Sequence, residues 1–219
     1  MVAENLISNA LIPLRTSDSG SDALNIMSDF YVKHLPIVNN VQLLGLISED
    51  DILENDVEEA VGSFDLRLQH AFVRSDDHVY EVMRQVAGKN LTVIPVIDWD
   101  DNYVGLITME DLLAYFAKTA AFAEQGGILV LEVGKRDYSL TEISRIVESE
   151  GASILSSFIS TEPNSNKIEI TIKVNKPNLA AIMATFERFD YDIKASFNES
   201  ELLDSLKDRF DSLMAYLNV

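Results

Sequence analysis

The sequence predicts a mixed α/β (α+β) chain, with a duplicated unit filling its first half and a second domain of βαββαβ order behind it. Two observations carry the duplication. Segments 6–60 and 66–120 repeat one apolar and turn pattern about sixty residues apart, and in both copies the apolar period changes from helical to strand-like at the same place. A third observation marks the second domain: after Gly126-Gly127 the order of helical and alternating segments is different.

Ala23, Ile26, Met27 and Phe30 in the first copy, and Val79, Val82, Met83 and Val86 in the second, fall at i, i+3, i+4, i+7, the apolar stripe of a helix laid on a core. The period then shortens. Leu35-Pro36-Ile37-Val38 and Leu44-Gly45-Leu46-Ile47 flank the polar turn Asn39-Asn40, while Ile94-Pro95-Val96-Ile97 and Val104-Gly105-Leu106-Ile107 flank residues 98–102; both read as hairpins. Ser48 and Thr108 follow, residue types that cap helix N-termini, with acidic groups in the next turn and leucines after them. Short strands are expected ahead of each copy's first helix, at residues 10–14 and 71–73. A unit of about fifty residues buries too little surface to stand alone, so the two copies are expected to pack face to face as one pseudo-symmetric domain.

Alanine-rich residues 114–124 extend the last helix of the duplicated half to Gly126-Gly127, which places the boundary near 126. Residues 128–133 and 154–159 read as strands, Leu140, Ile143, Ile146 and Val147 as a helix stripe, residues 163–166 as a turn and residues 168–174 as an alternating strand. A helix on Leu179, Ile182, Met183 and Phe186 and a strand over 193–197 complete a ferredoxin-like βαββαβ order. In residues 198–219, Leu203, Leu206, Phe210, Leu213 and Leu217 at 3-4-3-4 spacing predict an amphipathic helix too short for a free coiled coil.

Composition narrows the function. A hydrophobic content of 47% over 219 residues suits folded cores. A formal charge of −19 repels phosphate backbones and anionic lipid, so neither nucleic acid nor membrane is an expected partner. The absence of cysteine excludes disulfides, thiolate metal sites and thiol catalysis. The start lacks a basic region followed by a long apolar run, and no segment is apolar for eighteen residues, so a cytoplasmic location is expected.

The repeated Gly-x-x-Ser/Thr-x-x-Asp after a Pro-Val-type strand, Gly45, Ser48 and Asp51 in one copy and Gly105, Thr108 and Asp111 in the other, resembles the tandem CBS domain pair, or Bateman module, over residues 6–120. The resemblance implies clefts between the repeats that bind adenosine-type ligands: AMP, ADP, ATP or S-adenosylmethionine. The residues suit that chemistry. An aspartate near a helix start can accept from both hydroxyls of a ribose, each charged bond contributing roughly 1.5–3 kcal/mol. Ser48 or Thr108 can help backbone amides hold a phosphate, and Gly45 and Gly105 would let the chain approach the ligand. The family's phosphate-contacting cations stand just before the Pro-Val strand, where this chain has Lys33-His34 in the first copy and Thr92-Val93 in the second. The second cleft is therefore expected to hold a polyphosphate less well, and a nucleoside, AMP or S-adenosylmethionine-like ligand is expected over ATP. Helix capping alone, at about 1 kcal/mol per cap, accounts for the same Ser, Thr and Asp residues with no ligand.

Residues 127–197 resemble the ACT domain, which implies regulation, often by amino acids bound at a dimer interface beside the first strand-to-helix loop, here residues 135–140. With Leu140 as anchor, the glycine of that family's Asp-x-x-Gly-x-Leu pattern is replaced by Tyr138, whose side chain is expected to crowd the loop and to favour oligomerisation or signal output. The whole chain is similar to CBS–ACT regulatory proteins of the acetoin-utilisation type. This implies a non-enzymatic sensor of an adenosine-containing effector, with no resident cofactor, acting as a homodimer on a client protein. A ligand-free structural or oligomerisation module and a divalent-cation sensor using Glu49-Asp50-Asp51 are the alternatives. Three scattered histidines, with no Gly-x-Ser-x-Gly, phosphate loop or His-x-x-x-His, argue against catalysis and against a metal centre.

Overall fold

The structure, a computed structural model of the chain, describes residues 1–8, 10–119, 121–163, 165–198 and 216. The helix expected over 198–219 lies outside the described residues, apart from Asn198 and Tyr216. Chain contacts divide the protein into two units, Met1–Phe116 and Ala117–Val219.

The first unit runs β1 (Leu14–Arg15), α1 (Gly20–Asp29), β2 (His34–Asn39), β3 (Gln42–Ser48), α2 (Glu49–Leu53), then β4 (Val73–Arg74), α3 (Val79–Gly88), β5 (Val93–Ile97), β6 (Tyr103–Thr108) and α4 (Met109–Thr119). Each copy builds one three-stranded sheet, β1-β2-β3 or β4-β5-β6, in which a two-residue strand pairs parallel with the proline-bearing strand and a hairpin completes the other edge. The leading strands begin later than the apolar runs at 10–14 and 71–73 because only Leu14, Arg15, Val73 and Arg74 reach β2 and β5 in register. Helix α4 ends at Thr119, inside the alanine-rich stretch 114–124 rather than at its end.

The two copies interlock rather than merely touch. Leu46 from the first copy is buried in the core of the second, while Val93 and Leu106 from the second are buried in the core of the first. Burying each such side chain contributes roughly 1.5–3 kcal/mol. The leading segments cross over as well. Ala3 and Leu6, in a 3-10 turn, pack into the second copy's core, with Ala3 N–H donating to Asp77 O at 2.9 Å and Ser8 N–H to Leu106 O at 2.8 Å. The connector after α2 returns to the first copy: Val61 and Phe64 are buried in its core, and Leu46 N–H donates to Leu68 O at 3.3 Å.

Helices α1 and α3 end alike. Val32 N–H donates to Met27 O at 3.0 Å and Leu91 N–H to Val86 O at 2.9 Å, the six-to-one bond of a helix stop whose preceding residue turns left-handed. Tyr31 and Asn90 are those residues, each at φ 53°. Asn is at home there; Tyr is not.

The second unit runs β7 (Gly127–Gly134), α5 (Leu140–Ser149), β8 (Ile154–Ser160), β9 (Lys167–Val174), α6 (Ala180–Arg188) and β10 (Asp192–Asn198), a βαββαβ chain folded into one antiparallel sheet of order β10-β7-β9-β8. This is the ferredoxin-like arrangement expected from the pattern. Alternation along β7 and β9 sends Leu129, Leu131, Ile170 and Ile172 to the face that α5 and α6 cover with Ile143, Ile146, Val147, Ile182 and Phe186. Tyr138, half-buried in the loop between β7 and α5, packs against this core.

Candidate functional site

At the start of α2, Ser48 Oγ accepts from Asp51 N–H at 3.1 Å, and Asp51 Oδ2 accepts from Ser48 N–H at 3.2 Å and Ser48 Oγ at 2.6 Å. At the start of α4, Thr108 and Asp111 repeat the pattern at 3.0, 3.1 and 2.6 Å. Each pair is a reciprocal cap. Capping by itself does not mark a site, because Ser19 and Asp22 make the same box at α1, with Ser19 Oγ and Asp22 Oδ2 2.8 Å apart. Burial and cavity set the other two pairs apart: the acidic run Glu49-Asp50-Asp51 and the pair Glu110-Asp111 each line a cleft between the repeats.

The two aspartates occupy different clefts. The Asp51 cleft, about 380 Å³, is walled by Lys33, His34, Ser48 and Asp50 from the first copy, by Arg67 and Leu68 of the connector, and by Lys89 and Asn90 from the second. The Asp111 cleft, about 490 Å³, is walled by Thr92, Thr108, Glu110 and Leu113 from the second copy and by Phe30, Tyr31 and Val32 from the first. Each is headed by one copy's aspartate and closed by the other copy's helix end, as crosswise packing requires.

Asp51 is only 5% exposed, and its charge is met inside the cleft. Arg67 Nε lies 3.3 Å from Oδ1 while the same guanidinium pairs with Glu54, and the guanidinium pKa is raised chiefly by its hydrogen bond to Glu54. At Asp111 both bonds fall on Oδ2, and among the described residues Oδ1 keeps its acceptor capacity. Lys33 faces Glu49 at 3.7 Å, so the acidic run Glu49-Asp50-Asp51 proposed for a divalent cation already has two cations against it. Among the described residues no group of three His, Asp or Glu side chains is placed to hold a metal ion.

His34 reaches across the pseudo-dyad. Thr92 N–H donates to its Nδ1 at 3.2 Å with Thr92 Oγ1 3.0 Å away, and Lys33 N–H donates to the same Oγ1 at 2.8 Å. A backbone donor on Nδ1 fixes the neutral ring with its proton on Nε2. Burial holds the His34 pKa below its ordinary value against the opposing pull of Asp51 and Asp50.

Gly45 and Gly105 line neither cleft. A Cβ on Gly105 would meet Ile7 Cγ2 at 2.3 Å, and one on Gly45 would meet Leu66 Cδ1 at 3.1 Å and Gln69 Cα at 3.2 Å. Both glycines sit at φ 157° beside a register shift of their hairpin. Their lack of a side chain admits the crossing segments Ile7 and Leu66–Gln69, not a ligand. Arg67, like the wall residues Tyr31, Lys89 and Asn90, is a cleft residue that local sequence pattern does not announce, its partner Asp51 lying sixteen positions back.

No helix among the described residues is long and apolar enough to cross a membrane. Residues 3–58 and 66–118 each match the CBS domain family. An inosine-5′-monophosphate dehydrogenase of Methanocaldococcus jannaschii is 19% identical over 149 residues, which are 68% of this chain and 30% of that protein. The chain spans less than a third of the length of the first curated relatives it matches. Among solved structures, a CBS domain pair/ACT domain protein from Thermotoga maritima superposes with a TM-score of 0.49 at 16% identity, covering 54% of this chain and 98% of that one. The CBS domain pair of a protein in complex with 5′-methylthioadenosine and S-adenosyl-L-methionine does so with a TM-score of 0.45 at 23% identity, covering 54% and 97%. Two family matches in tandem, laid over two interlocked copies of one sheet-and-helix unit, make residues 3–118 a tandem CBS domain pair, and the chain belongs to the CBS-domain proteins.

Proposed function

We propose that this chain is a non-enzymatic cytoplasmic regulator that binds adenosine-type small molecules in the two clefts of its CBS pair and passes their occupancy, as a homodimer, to a client protein. The observation that carries this reading is Asp111. Its Oδ2 is committed to Thr108 while Oδ1 keeps its acceptor capacity, on the wall of a cavity of about 490 Å³ that also offers Phe30 and Tyr31. A fixed carboxylate beside an aromatic wall suits a nucleoside, whose ribose has two adjacent hydroxyl donors and whose base has a flat apolar face.

Thermal unfolding of the full chain with saturating adenosine, AMP, ATP or S-adenosylmethionine tests the reading. A ligand at a hundred times its dissociation constant stabilises the folded state by about 2.7 kcal/mol. At least one of these compounds is expected to raise the midpoint, and Asp111→Asn together with Asp51→Asn is expected to abolish the rise. The competing reading, a ligand-free oligomerisation module, is favoured by the Ser19–Asp22 box, which shows that the motif's Ser and Asp also occur as a plain cap. A constitutive dimer whose midpoint ignores all four compounds would establish that alternative.

A further inference from the structure

The two clefts are built to one plan but carry opposite surfaces. Phe30 and Lys89 hold equivalent positions at the ends of α1 and α3, as do Tyr31 and Asn90 one residue later. Each side chain faces the cleft headed by the other copy's aspartate. The Asp111 cleft therefore receives Phe30 and Tyr31, and the Asp51 cleft receives Lys89 and Asn90. Charge divides the same way. Lys33, Arg67 and Lys89 balance Glu49, Asp50 and Asp51 around one cleft, whereas the other has Glu110 and Asp111 and no cation among its described lining residues.

We propose that the two clefts sort adenosine-type ligands by charge, the Asp51 cleft taking a nucleoside phosphate with Arg67 as its phosphate-binding group, and the Asp111 cleft taking an unphosphorylated nucleoside against Phe30 and Tyr31. The inference rests on the reading of the clefts as nucleoside sites and adds which class enters each. A phosphate dianion in the Asp111 cleft faces two carboxylates with no cation among the described lining residues, and repulsion disfavours it there. In the Asp51 cleft two backbone donors at the start of α2 are taken, Glu49 N–H by Lys33 O at 2.9 Å and Asp51 N–H by Ser48 Oγ at 3.1 Å, so the phosphate is met chiefly by side-chain cations. Arg67 is the one of these that touches the aspartate. Its Nε holds Asp51 Oδ1 at 3.3 Å with 63% of the side chain exposed, so the guanidinium can swing from the carboxylate to an incoming phosphate. That movement frees the oxygen a ribose needs, and it makes phosphate the condition for entry. Tyr31, 94% exposed and held in a left-handed backbone conformation, serves the other cleft as a stacking face that contributes nothing to the fold by burial.

Titration calorimetry of the full chain with AMP and with adenosine, each alone and each added after the other, tests the division. Adenosine is expected to bind AMP-saturated protein with its original affinity. Arg67→Gln is expected to weaken AMP at least tenfold and leave adenosine within twofold, with Arg67→Lys restoring most of the loss. Tyr31→Asn is expected to weaken adenosine at least fivefold and spare AMP. Raising the salt concentration is expected to weaken AMP alone. Mutual competition between the two compounds, or an Arg67→Gln protein that binds AMP as the parent does, overturns the division while leaving the clefts as nucleoside sites. Absence of heat from both compounds overturns the nucleoside reading itself, and the division with it.

Discussion

Tyr31→Asn is expected to make the unliganded protein more stable. The left-handed conformation at φ 53° costs a residue with a Cβ roughly 1–2 kcal/mol, and asparagine carries a smaller share because its short amide bonds locally. Little opposes the gain, because the Tyr31 side chain is 94% exposed and almost no burial is lost. The helix stop itself survives, since it is made by Val32 N–H and Met27 O. The net gain is about 0.5–1 kcal/mol, which in a unit the size of Met1–Phe116 raises the unfolding midpoint by roughly 2–6 °C. The reverse change at the equivalent position, Asn90→Tyr, is expected to lower it by a similar amount. Thermal unfolding without nucleotide, followed by circular dichroism and by the fluorescence of Trp99, the chain's single tryptophan, reads both variants. A Tyr31→Asn midpoint equal to or below the parent's would show that the backbone at this turn is not strained.

His34 and the core of the second unit offer further tests. Because burial lowers the His34 pKa, the neutral ring stabilises the first unit fully above about 6.5, and that contribution is lost as pH falls through the lower folded value; His34→Gln, compared with the parent between pH 7 and 5 by chemical denaturation, is expected to flatten the decline. Gly126→Ala would put a Cβ 1.9 Å from Val174 O at the start of the second unit's sheet, so a loss of about 1–3 kcal/mol is expected by urea unfolding, and a neutral result would mean that β7 and β9 can part there at little cost. Phe186→Ala removes a fully buried ring that meets Tyr191 edge-on at 5.4 Å, and a loss of roughly 3–5 kcal/mol is expected from the same measurement.

Wherever local chemistry dictates structure, the sequence was readable. The stripes at Ala23–Phe30 and Val79–Val86 became α1 and α3, the Pro-bearing runs became β2 and β5, and the Ser48/Asp51 and Thr108/Asp111 pairs became caps. Alternation along residues 168–174 placed β9 correctly in a ferredoxin-like sheet. What local pattern does not encode is which segments cross. From local pattern Gly45 and Gly105 point to a ligand, because the partners that need their space, Leu66 and Ile7, lie outside the motif. The contacts of Arg67 with Asp51 and of Thr92 with His34 are illegible for the same reason: the first exists only once the connector folds back on α2, the second only once the copies interlock. The packing of Tyr138 against the second unit's core is likewise a contact that its spacing alone does not reveal.

The crosswise construction of the CBS pair also governs how such a protein can diverge. Since the wall of each cleft is borrowed from the opposite copy, drift at the end of α1 rewrites the pocket headed by Asp111 and leaves the one beside its own aspartate untouched. A chimera that replaced only one repeat would therefore alter both pockets at once, and specificity would have to be transplanted as a pair of half-sites taken from the two ends of the duplication.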